Sequence, residues 1–358
     1  MLSIGLQAFS LVYGHAGRPE HMLRAAPAEA GFDGQFFLRL AEDPLVGPET
    51  ARALDTPALR ARRIGLPVAG RLFALLAGSP QAGLLLAESA SLLLLIAIAQ
   101  RGAWAGHVSP WAVLAVPLSL PFALSLELVT AELGVAALVL LAAYGSLPVT
   151  IGALAAACLF KEVGALAVAA FALASLLQGR KREGLLTLTA LLPFAGWQLY
   201  LALRLRSGTD LPILLKNLTV PGAGIVKALA AQLSVLSSGL GDAKAAGLLA
   251  AILWYGVGTV LALLLLRGGW TRGRLLAMAG GVLVVLLSHG GAAQAFNEVF
   301  NFGRQLFLLP AGLLIVLFLE SSSLTHRLRL VLIAWHAAGA LLGLGWFLQE
   351  VLSQRLAA

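Results

Sequence analysis

Residues 81–100 read QAGLLLAESASLLLLIAIAQ, a run of twenty residues in which Glu88 carries the only charge. About 20 apolar residues in a helix are enough to cross the hydrocarbon core of a bilayer. The run contains no proline that would interrupt such a helix. It therefore predicts a membrane-spanning helix, and the rest of the chain can be compared with it.

Apolar windows of the same kind follow along most of the chain. Several are shorter than a full crossing, and such helices can be tilted or buried among neighbours. Val226 to Leu240 is less apolar and predicts a re-entrant or interfacial helix. With residues 81–100 the windows predict an all-α, polytopic integral membrane protein of about 10–11 transmembrane helices. The further windows are Trp111 to Leu126, Leu133 to Tyr144, Pro148 to Phe160, Gly164 to Leu177, Leu185 to Leu203, Gly247 to Leu266, Leu275 to Leu287, Leu306 to Leu319 and Leu328 to Leu348.

The overall composition excludes a soluble globular domain. Of the 358 residues, 59% are apolar and 12% are charged, whereas globular domains hold about 45–50% and about 25%. The same figures exclude disordered, collagen-like and disulfide-rich secreted chains. The single cysteine, Cys158, cannot form an intramolecular disulfide.

The charges collect in one segment near the start of the chain. Residues 14–73 hold eight Arg and seven Asp or Glu. We expect a short or truncated first membrane helix over residues 1–13, with an interfacial segment as the alternative. An extracytoplasmic loop with interfacial helices is expected over 14–80. Transmembrane helices then fill 81–206, and 207–358 holds a further extracytoplasmic segment and the C-terminal transmembrane helices.

The basic loops predict an orientation. Placing Arg180-Lys181-Arg182 in the cytoplasm also places the short basic loops 267–274 and 326–329 there, as the positive-inside rule requires. The segment 14–80 and the acids at several helix ends then lie outside. We therefore expect a multi-pass membrane protein whose chemistry lies on the outer face. Six of the seven tryptophans, those from Trp104 to Trp335, are expected mostly to mark interfacial belts.

Residues 31–37, GFDGQFF, place one carboxylate between two glycines and beside aromatic residues. Asp33 could deprotonate a hydroxyl or ligate a divalent cation such as Mg²⁺ or Mn²⁺. The alternative is an Asx-type turn in which Asp33 caps a helix that begins near Gln35.

Residues 55–67, DTPALRARRIGLP, predict a helix start followed by a basic turn. Arg60, Arg63 and Arg71 have helical spacing on one face, and the opposite apolar stripe consists of Val68, Leu72 and Leu75. Arginines bind phosphate with paired hydrogen bonds, so a lipid phosphate is one interpretation. Anchoring to headgroups in general is the other.

Polar side chains at helix ends form two further candidate groups. Charge next to an apolar helix is costly and indicates function, although snorkelling or a local pair of Lys161 with Glu162 is the alternative. Arg304 could bind a phosphate or snorkel. The two groups are Glu127, Glu132, Lys161 and Glu162, and Asn297, Asn301 and Arg304 at steps of four and three.

Several kinds of chemistry lack their sequence patterns. The chain has no phosphate-binding loop with its lysine, no Gly-x-Ser-x-Gly motif and no histidine pair at metal-ligand spacing. Nucleotide hydrolysis and zinc chemistry are therefore unsupported. The basic residues flank membrane segments rather than forming a patch, so no nucleic-acid partner is expected.

The same motifs resemble bacterial membrane glycosyltransferases of the GT-C class, in particular the mannosyl and arabinosyl transferases that use lipid-phosphate sugars. The resemblance is carried in order by GFDGQFFLRLA at 31–41, DPL at 43–45, DTPALRARRIGLP at 55–67, Lys161-Glu162 and LPFAGWQLY at 192–200, with a weaker echo at 304–310. It departs from the class at Lys161, where Arg is usual, and at residues 127–132, ELVTAE.

The resemblance implies a sugar transferase with an active site on the outer face. Asp33 would be the catalytic base or a ligand of a divalent cation, and Arg60, Arg63, Lys161 and Arg304 would bind the phosphate of a polyprenyl-phosphate sugar. The acceptor would be a hydroxyl of a glycan, lipid or protein. Supporting or acceptor-site roles fall to Gln35, Asp43, Glu127, Glu132, Glu162, Asn297 and Asn301.

Two other classes of function remain open. One is a transporter or flippase for a lipid-linked sugar, which would carry ionisable residues near mid-membrane and an internal repeat. The other is a non-catalytic membrane scaffold with the same fold, in which Asp33 and the arginine turn would be dispensable.

Overall fold

The computed structural model describes residues 23, 33–106, 108, 111–205, 223–237, 243–287 and 306–357, and these residues are almost entirely helical, without strands. The helices of the first polar segment are α1 (Asp33–Glu42), α2 (Pro48–Ala53), α3 (Pro57–Ala61) and α4 (Gly65–Ala77). The apolar body contains α5 (Pro80–Ala105), α6 (Trp111–Leu118), α7 (Leu120–Leu128), α8 (Glu132–Tyr144), α9 (Leu147–Phe160), α10 (Gly164–Leu177), α11 (Lys181–Leu188), α12 (Leu192–Leu205), α13 (Ala223–Ser237), α14 (Ala243–Leu266), α15 (Arg272–Leu287), α16 (Leu308–Leu319) and α17 (His326–Ala357).

Among the residues that the structure describes, four helices are long and apolar enough to cross a bilayer. They are α5, the continuous pair α11–α12, α14 and α17. A short 3₁₀ turn, Thr189–Leu191, joins α11 to α12. Six further apolar helices of 10–17 residues accompany the four. The apolar windows of the sequence are largely helical as predicted, with a break in the window 111–126. The helices therefore indicate a protein embedded in a lipid bilayer.

A sharp turn, Gly78-Ser79-Pro80, joins α4 to α5. Gly78 has φ of 75° and donates its N–H to the Ala74 carbonyl, ending α4 in the left-handed conformation that glycine adopts without strain. The Ser79 side chain accepts the Ala82 N–H at 3.2 Å, and Pro80 occupies the first turn of α5. These three residues fold the two helices into an antiparallel hairpin.

The two sides of α4 differ. On one side Gly70 packs against Leu84 of α5. On the other, Leu72 and Leu75 are 61% and 82% exposed, which confirms the predicted apolar stripe. The prediction of one continuous basic face is wrong, because the chain turns at residues 62–64. Arg60 and Arg63 lie before α4, whereas Arg71 donates to the Glu42 carbonyl at 2.6 Å at the end of α1.

The window 111–126 is not one helix. Pro117 lies inside α6, Pro121 lies in the first turn of α7, and Ser119 between them is extended, with ψ of 146°. Gly343 of α17 packs directly on this break, where an added Cβ would meet backbone atoms of residues 118–120. A glycine is therefore required at residue 343 for the close approach of α17.

Two of the short helices, α8 and α16, lie inside the bundle. Every residue of α16 from Leu308 to Phe318 is buried, and so is most of α8. At one end of the bundle, Gly102 of α5 packs against Tyr144 of α8 and Phe318 of α16. These three helices therefore end at the same level.

At the opposite end, the long and short helices do not end together. The Thr130 N–H, two residues before α8, bonds to Glu88 at 3.2 Å. Since Glu88 lies eight residues after Pro80, the α4–α5 hairpin extends about 12 Å beyond this level. We call this difference in level the step.

The predicted belt position of two tryptophans is wrong. Trp254 and Trp335 are buried, with ring centroids 4.2 Å apart and planes at 9°. Each indole N–H donates to the other's backbone carbonyl, at 2.8 and 2.9 Å. Burial of both polar atoms is possible because the pair satisfies itself, so these residues join α14 to α17 rather than marking the interface.

Candidate functional site

Asp33 is the first residue of α1 and is buried at the step. Its residue exposure is 3%, and its carboxylate receives Arg60 at one oxygen and Arg63 at the other, the latter at 3.1 Å. Phe36, Phe37 and Leu40 anchor α1 in the core beneath it. Asp33 itself lies within α1, and its carboxylate binds two guanidiniums, so it is not a turn residue that caps a helix beginning near Gln35.

Arg60 lies between two carboxylates and over an aromatic ring. It binds Asp55 with two hydrogen bonds of 2.9 Å, and its guanidinium carbon lies 4.2 Å from the centroid of Phe36. The hydrogen bonds from Arg60 are the largest cause of a lowered pKa of Asp55. Burial lowers the pKa of Arg60, but Asp55 and Asp33 outweigh it and raise that pKa overall. Arg60 is therefore a fixed cation with a defined orientation.

Arg63 connects Asp33 to a second carboxylate, that of Glu162. Its two contacts with Glu162 measure 2.8 and 3.1 Å, although the residues are 99 positions apart. Burial raises the pKa of Glu162, but the Arg63 charge and hydrogen bonds, with the Lys161 charge, lower it to about 2. Asp55, Arg60, Asp33, Arg63 and Glu162 thus form a continuous chain of alternating charge, which we call the charge chain.

A separate buried pair lies beside the charge chain. Lys161, 3% exposed at the end of α9, forms a salt bridge with Glu132, 1% exposed at the start of α8. The salt bridge of Lys161 is therefore with Glu132, and not with its neighbour Glu162 as the alternative prediction had it. Since Lys161 is engaged with a buried carboxylate, its predicted role as a direct phosphate ligand would require that pair to separate.

The α12 helix holds the first polar segment through one face. Trp197 donates to the Ala61 carbonyl at 2.8 Å, Tyr200 to Leu45 at 2.7 Å and Arg204 to Val46 at 3.3 Å. The Trp197 and Tyr200 rings stack with centroids 5.1 Å apart. Their spacing of three and four residues could have indicated a shared face from sequence, but not which carbonyls they would meet.

The remaining predicted residues fall into two groups. Gln35 is half-buried on the first turn of α1, near Asp33 in sequence. Asp43 instead closes a turn, accepting the Gly47 N–H at 2.5 Å and the Thr50 hydroxyl at 2.7 Å, and the Thr50 bond is the main cause of its lowered pKa. Outside the described residues lie Asn297, Asn301, Arg304 and the side chain of Glu127.

The residues around Asp33 do not favour a divalent cation. A cation there would have to share the carboxylate with two guanidiniums or displace them, at a cost in like-charge repulsion. Within the described ranges, no three His, Cys, Asp or Glu side chains are grouped as a metal site. The arrangement is instead suited to exchanging one anion for another at Arg60 and Arg63.

The opposite end of the bundle carries its own ion pairs. Glu183 of α11 binds Arg180 at 2.6 Å and also Arg272, and Glu320 after α16 binds Arg274 at 2.7 Å. The three basic loops that the sequence placed on one side therefore meet at one end. The charge chain lies at the other end, because α12 reaches the first polar segment through Arg204.

The fold and the charge chain together define an all-helical, membrane-embedded protein with a buried acid held by two arginines. Comparison of the chain with protein-family models, curated proteins and solved structures finds no match.

Proposed function

We propose that the protein is an inverting membrane glycosyltransferase that moves a sugar from a polyprenyl-phosphate donor to an acceptor hydroxyl. The observation that carries the proposal is the junction of Asp33 with Arg60 and Arg63. It combines a carboxylate that can accept a proton with two cations that can hold a phosphate. The resemblance of the motifs to the GT-C class points to the same roles.

The reaction would proceed in one displacement. Asp33 accepts the proton of the acceptor hydroxyl while that oxygen forms a bond to the anomeric carbon of the sugar. The bond between the anomeric carbon and the phosphate oxygen breaks, and the lipid phosphate leaves with the electron pair. Arg60 and Arg63 stabilise the charge that develops on the phosphate.

Donor binding would also prepare the base. Before the donor arrives, both arginines contact Asp33 and stabilise its charge, which makes the carboxylate a weak base. A phosphate that takes over their N–H groups removes this stabilisation and leaves Asp33 more basic. Asp55 and Glu162, which hold the outer sides of Arg60 and Arg63, keep the guanidiniums in place during this exchange.

The location of the site supports a substrate carried by a lipid. Asp33 lies at the step, beside a hairpin whose exposed face includes Leu72 and Leu75. We propose that this end faces the outside of a bacterial inner membrane, as the basic loops predict, and that some of the shorter apolar helices also cross the bilayer. A glycan, lipid or protein hydroxyl would then approach from the outer face.

A non-catalytic scaffold is the second candidate, and a specific observation favours it. Arg60 and Arg63 already have carboxylate partners on both sides, as in a purely structural network. The two candidates differ in whether Asp33 can be replaced without loss of function.

The deciding experiment measures sugar transfer from a panel of radiolabelled polyprenyl-phosphate sugars in membranes that contain wild-type protein, Asp33→Asn or Glu49→Gln. The amide introduced by Asp33→Asn cannot accept the proton, so transfer should fall at least about a hundredfold. Glu49 is an exposed acid in the same polar segment and serves as the matched control. Full transfer by a folded Asp33→Asn protein would refute the base assignment.

A binding experiment separates the two roles. The Arg60→Ala, Arg63→Ala double variant should lose donor affinity, whereas Asp33→Asn should keep or increase it because the arginines no longer hold a charged carboxylate. Unchanged donor affinity in the double variant would remove the phosphate role. If folded wild-type protein consumed no donor in the panel, the scaffold would be the better description.

A further inference from the structure

A second candidate site lies at the other end of the bundle, away from Asp33. A groove of about 680 Å³ runs between the start of α9 and the start of α11. Its walls combine three cations, Arg180, Lys181 and Arg182, with the acid Glu183 and the apolar side chains of Leu147 and Leu186. A groove with a basic rim and an apolar wall matches a ligand that has an anionic head and an apolar body.

The acids at this end do not neutralise the groove. Glu183 binds Arg180 at 2.6 Å, Ser175 at 3.1 Å and Arg272. Among the described residues, neither Lys181 nor Arg182 has a carboxylate within salt-bridge distance, and both are exposed. Two positive charges therefore remain available on the rim of the groove.

The helix beside the groove is the least buried of the four candidate spans. The span Lys181–Leu205 is only 17% buried, whereas the other three candidate spans are 44–50% buried. Leu185, Leu188 and Leu192 continue along this span as exposed side chains at helical spacing. An acyl chain lying against these leucines would have its headgroup beside Lys181 and Arg182.

From these observations we infer that the groove binds the phosphodiester headgroup of an anionic membrane phospholipid. Lys181 supplies a point charge, and Arg182 can form paired hydrogen bonds to phosphate oxygens. Basic grooves beside membrane helices recognise anionic headgroups in this way. The inference does not depend on the proposed transferase reaction, because it concerns the opposite end of the bundle.

The experiment adds phosphatidylglycerol in mixed dodecyl maltoside micelles to the purified protein and measures its unfolding temperature. Phosphatidylglycerol should raise the unfolding temperature, and phosphatidylcholine should not. In a Lys181→Gln, Arg182→Gln variant the apparent affinity for phosphatidylglycerol should fall roughly ten- to thirtyfold. Each of the two cations is expected to contribute roughly a three- to fivefold factor to the affinity for an anionic lipid.

A matched variant tests whether the position of the two cations in the groove matters, or only the loss of two positive charges. Arg267→Gln with Arg327→Gln removes two exposed cations that lie at the same end of the bundle but do not line the groove. This control should keep the wild-type affinity. An equal loss in both double variants, or unfolding temperatures that do not distinguish the two lipids, would overturn the inference.

Inorganic phosphate distinguishes a lipid site from a simple anion site. Protection by phosphate that matches protection by phosphatidylglycerol would show that the leucine wall contributes nothing, and would refute a lipid ligand. Both glutamine variants replace exposed side chains with good helix formers. Their unfolding temperatures without added lipid should therefore remain close to that of the wild type.

Discussion

The indole N–H of Trp197 donates to the carbonyl oxygen of Ala61 at 2.8 Å, although 136 positions separate the two residues. Ala61 lies between Arg60 and Arg63, so this bond fixes the backbone of the arginine turn from the side of α12. The orientation of both guanidiniums toward Asp33 therefore depends on a helix that belongs to the apolar body.

Replacing Trp197 tests this dependence. Trp197→Phe keeps most of the aromatic packing but removes the donor, and we expect a loss of about 1 kcal/mol in the free energy of unfolding. If the proposed reaction is right, the KM for the donor should rise more than kcat falls, because the change displaces the phosphate ligands. Trp104→Phe, at an indole that is 64% exposed, is the control and should leave both quantities unchanged.

The buried pair of Lys161 and Glu132 should be strongly coupled. Glu132→Gln alone leaves a buried ammonium without its counter-charge, and we expect a loss of about 3–5 kcal/mol. Lys161→Met with Glu132→Gln removes both charges and should be less destabilising than the sum of the two single changes. Chemical unfolding in detergent measures all four proteins, and additive effects would contradict the pairing.

The stability of the folded protein at acid pH should depend on the ionisation of Glu162. Its pKa of about 2 in the folded protein lies below its ordinary value of 4.5. A lowered folded-state pKa gives a stabilising contribution that is complete above about pH 4.5 and is lost as the pH falls toward 2. The unfolding midpoint should therefore fall over this range, and Glu162→Gln should reduce the slope.

The control for the pH experiment is Glu49→Gln. Glu49 is exposed on α2, so its replacement should leave the acid slope at its wild-type value. An acid slope that Glu162→Gln leaves unaltered would show that Arg63 does not stabilise the ionised form of Glu162.

Gly343 offers a test of the packing at the break between α6 and α7. In Gly343→Ala the new Cβ would meet backbone atoms of residues 118–120, and we expect a loss of about 1–3 kcal/mol. Gly345→Ala is the matched control, because nothing lies within 4 Å of a Cβ at that position. It should be neutral or stabilising by up to about 1 kcal/mol. Equal effects at both positions would contradict the close contact.

The helices were predictable from the sequence because long apolar runs have few alternatives to a helix in lipid. The ends of the helices were less predictable. We predicted one helix to begin at Leu185, but α11 begins at Lys181, since a helix continues past the apolar layer when charged residues can reach water or other polar groups. The predicted number of crossings stays a prediction, because four helices meet the length requirement and the shorter ones do not.

The sequence indicated which residues would form the site, but not which residues they would contact. Asp33, Arg60 and Arg63 were selected from short motifs, and the structure brings these three together. The pairing of Lys161 with Glu132 and that of Arg63 with Glu162 join residues 29 and 99 positions apart. Such contacts depend on how helices pack, which local spacing does not encode, and the stacking of Trp254 on Trp335 was missed for the same reason.

The short length of α8 has an electrical consequence. Its 13 residues span about 20 Å, which separates the charge chain at one end from the ion pairs of Glu183 and Glu320 at the other. A bilayer core is about 30 Å thick. A membrane voltage across this protein would drop over a thinner insulating layer, so the local field would be stronger than in the surrounding lipid. A charge that moved inward from the charge chain would then cross a steeper potential than a charge that moved the same distance through lipid.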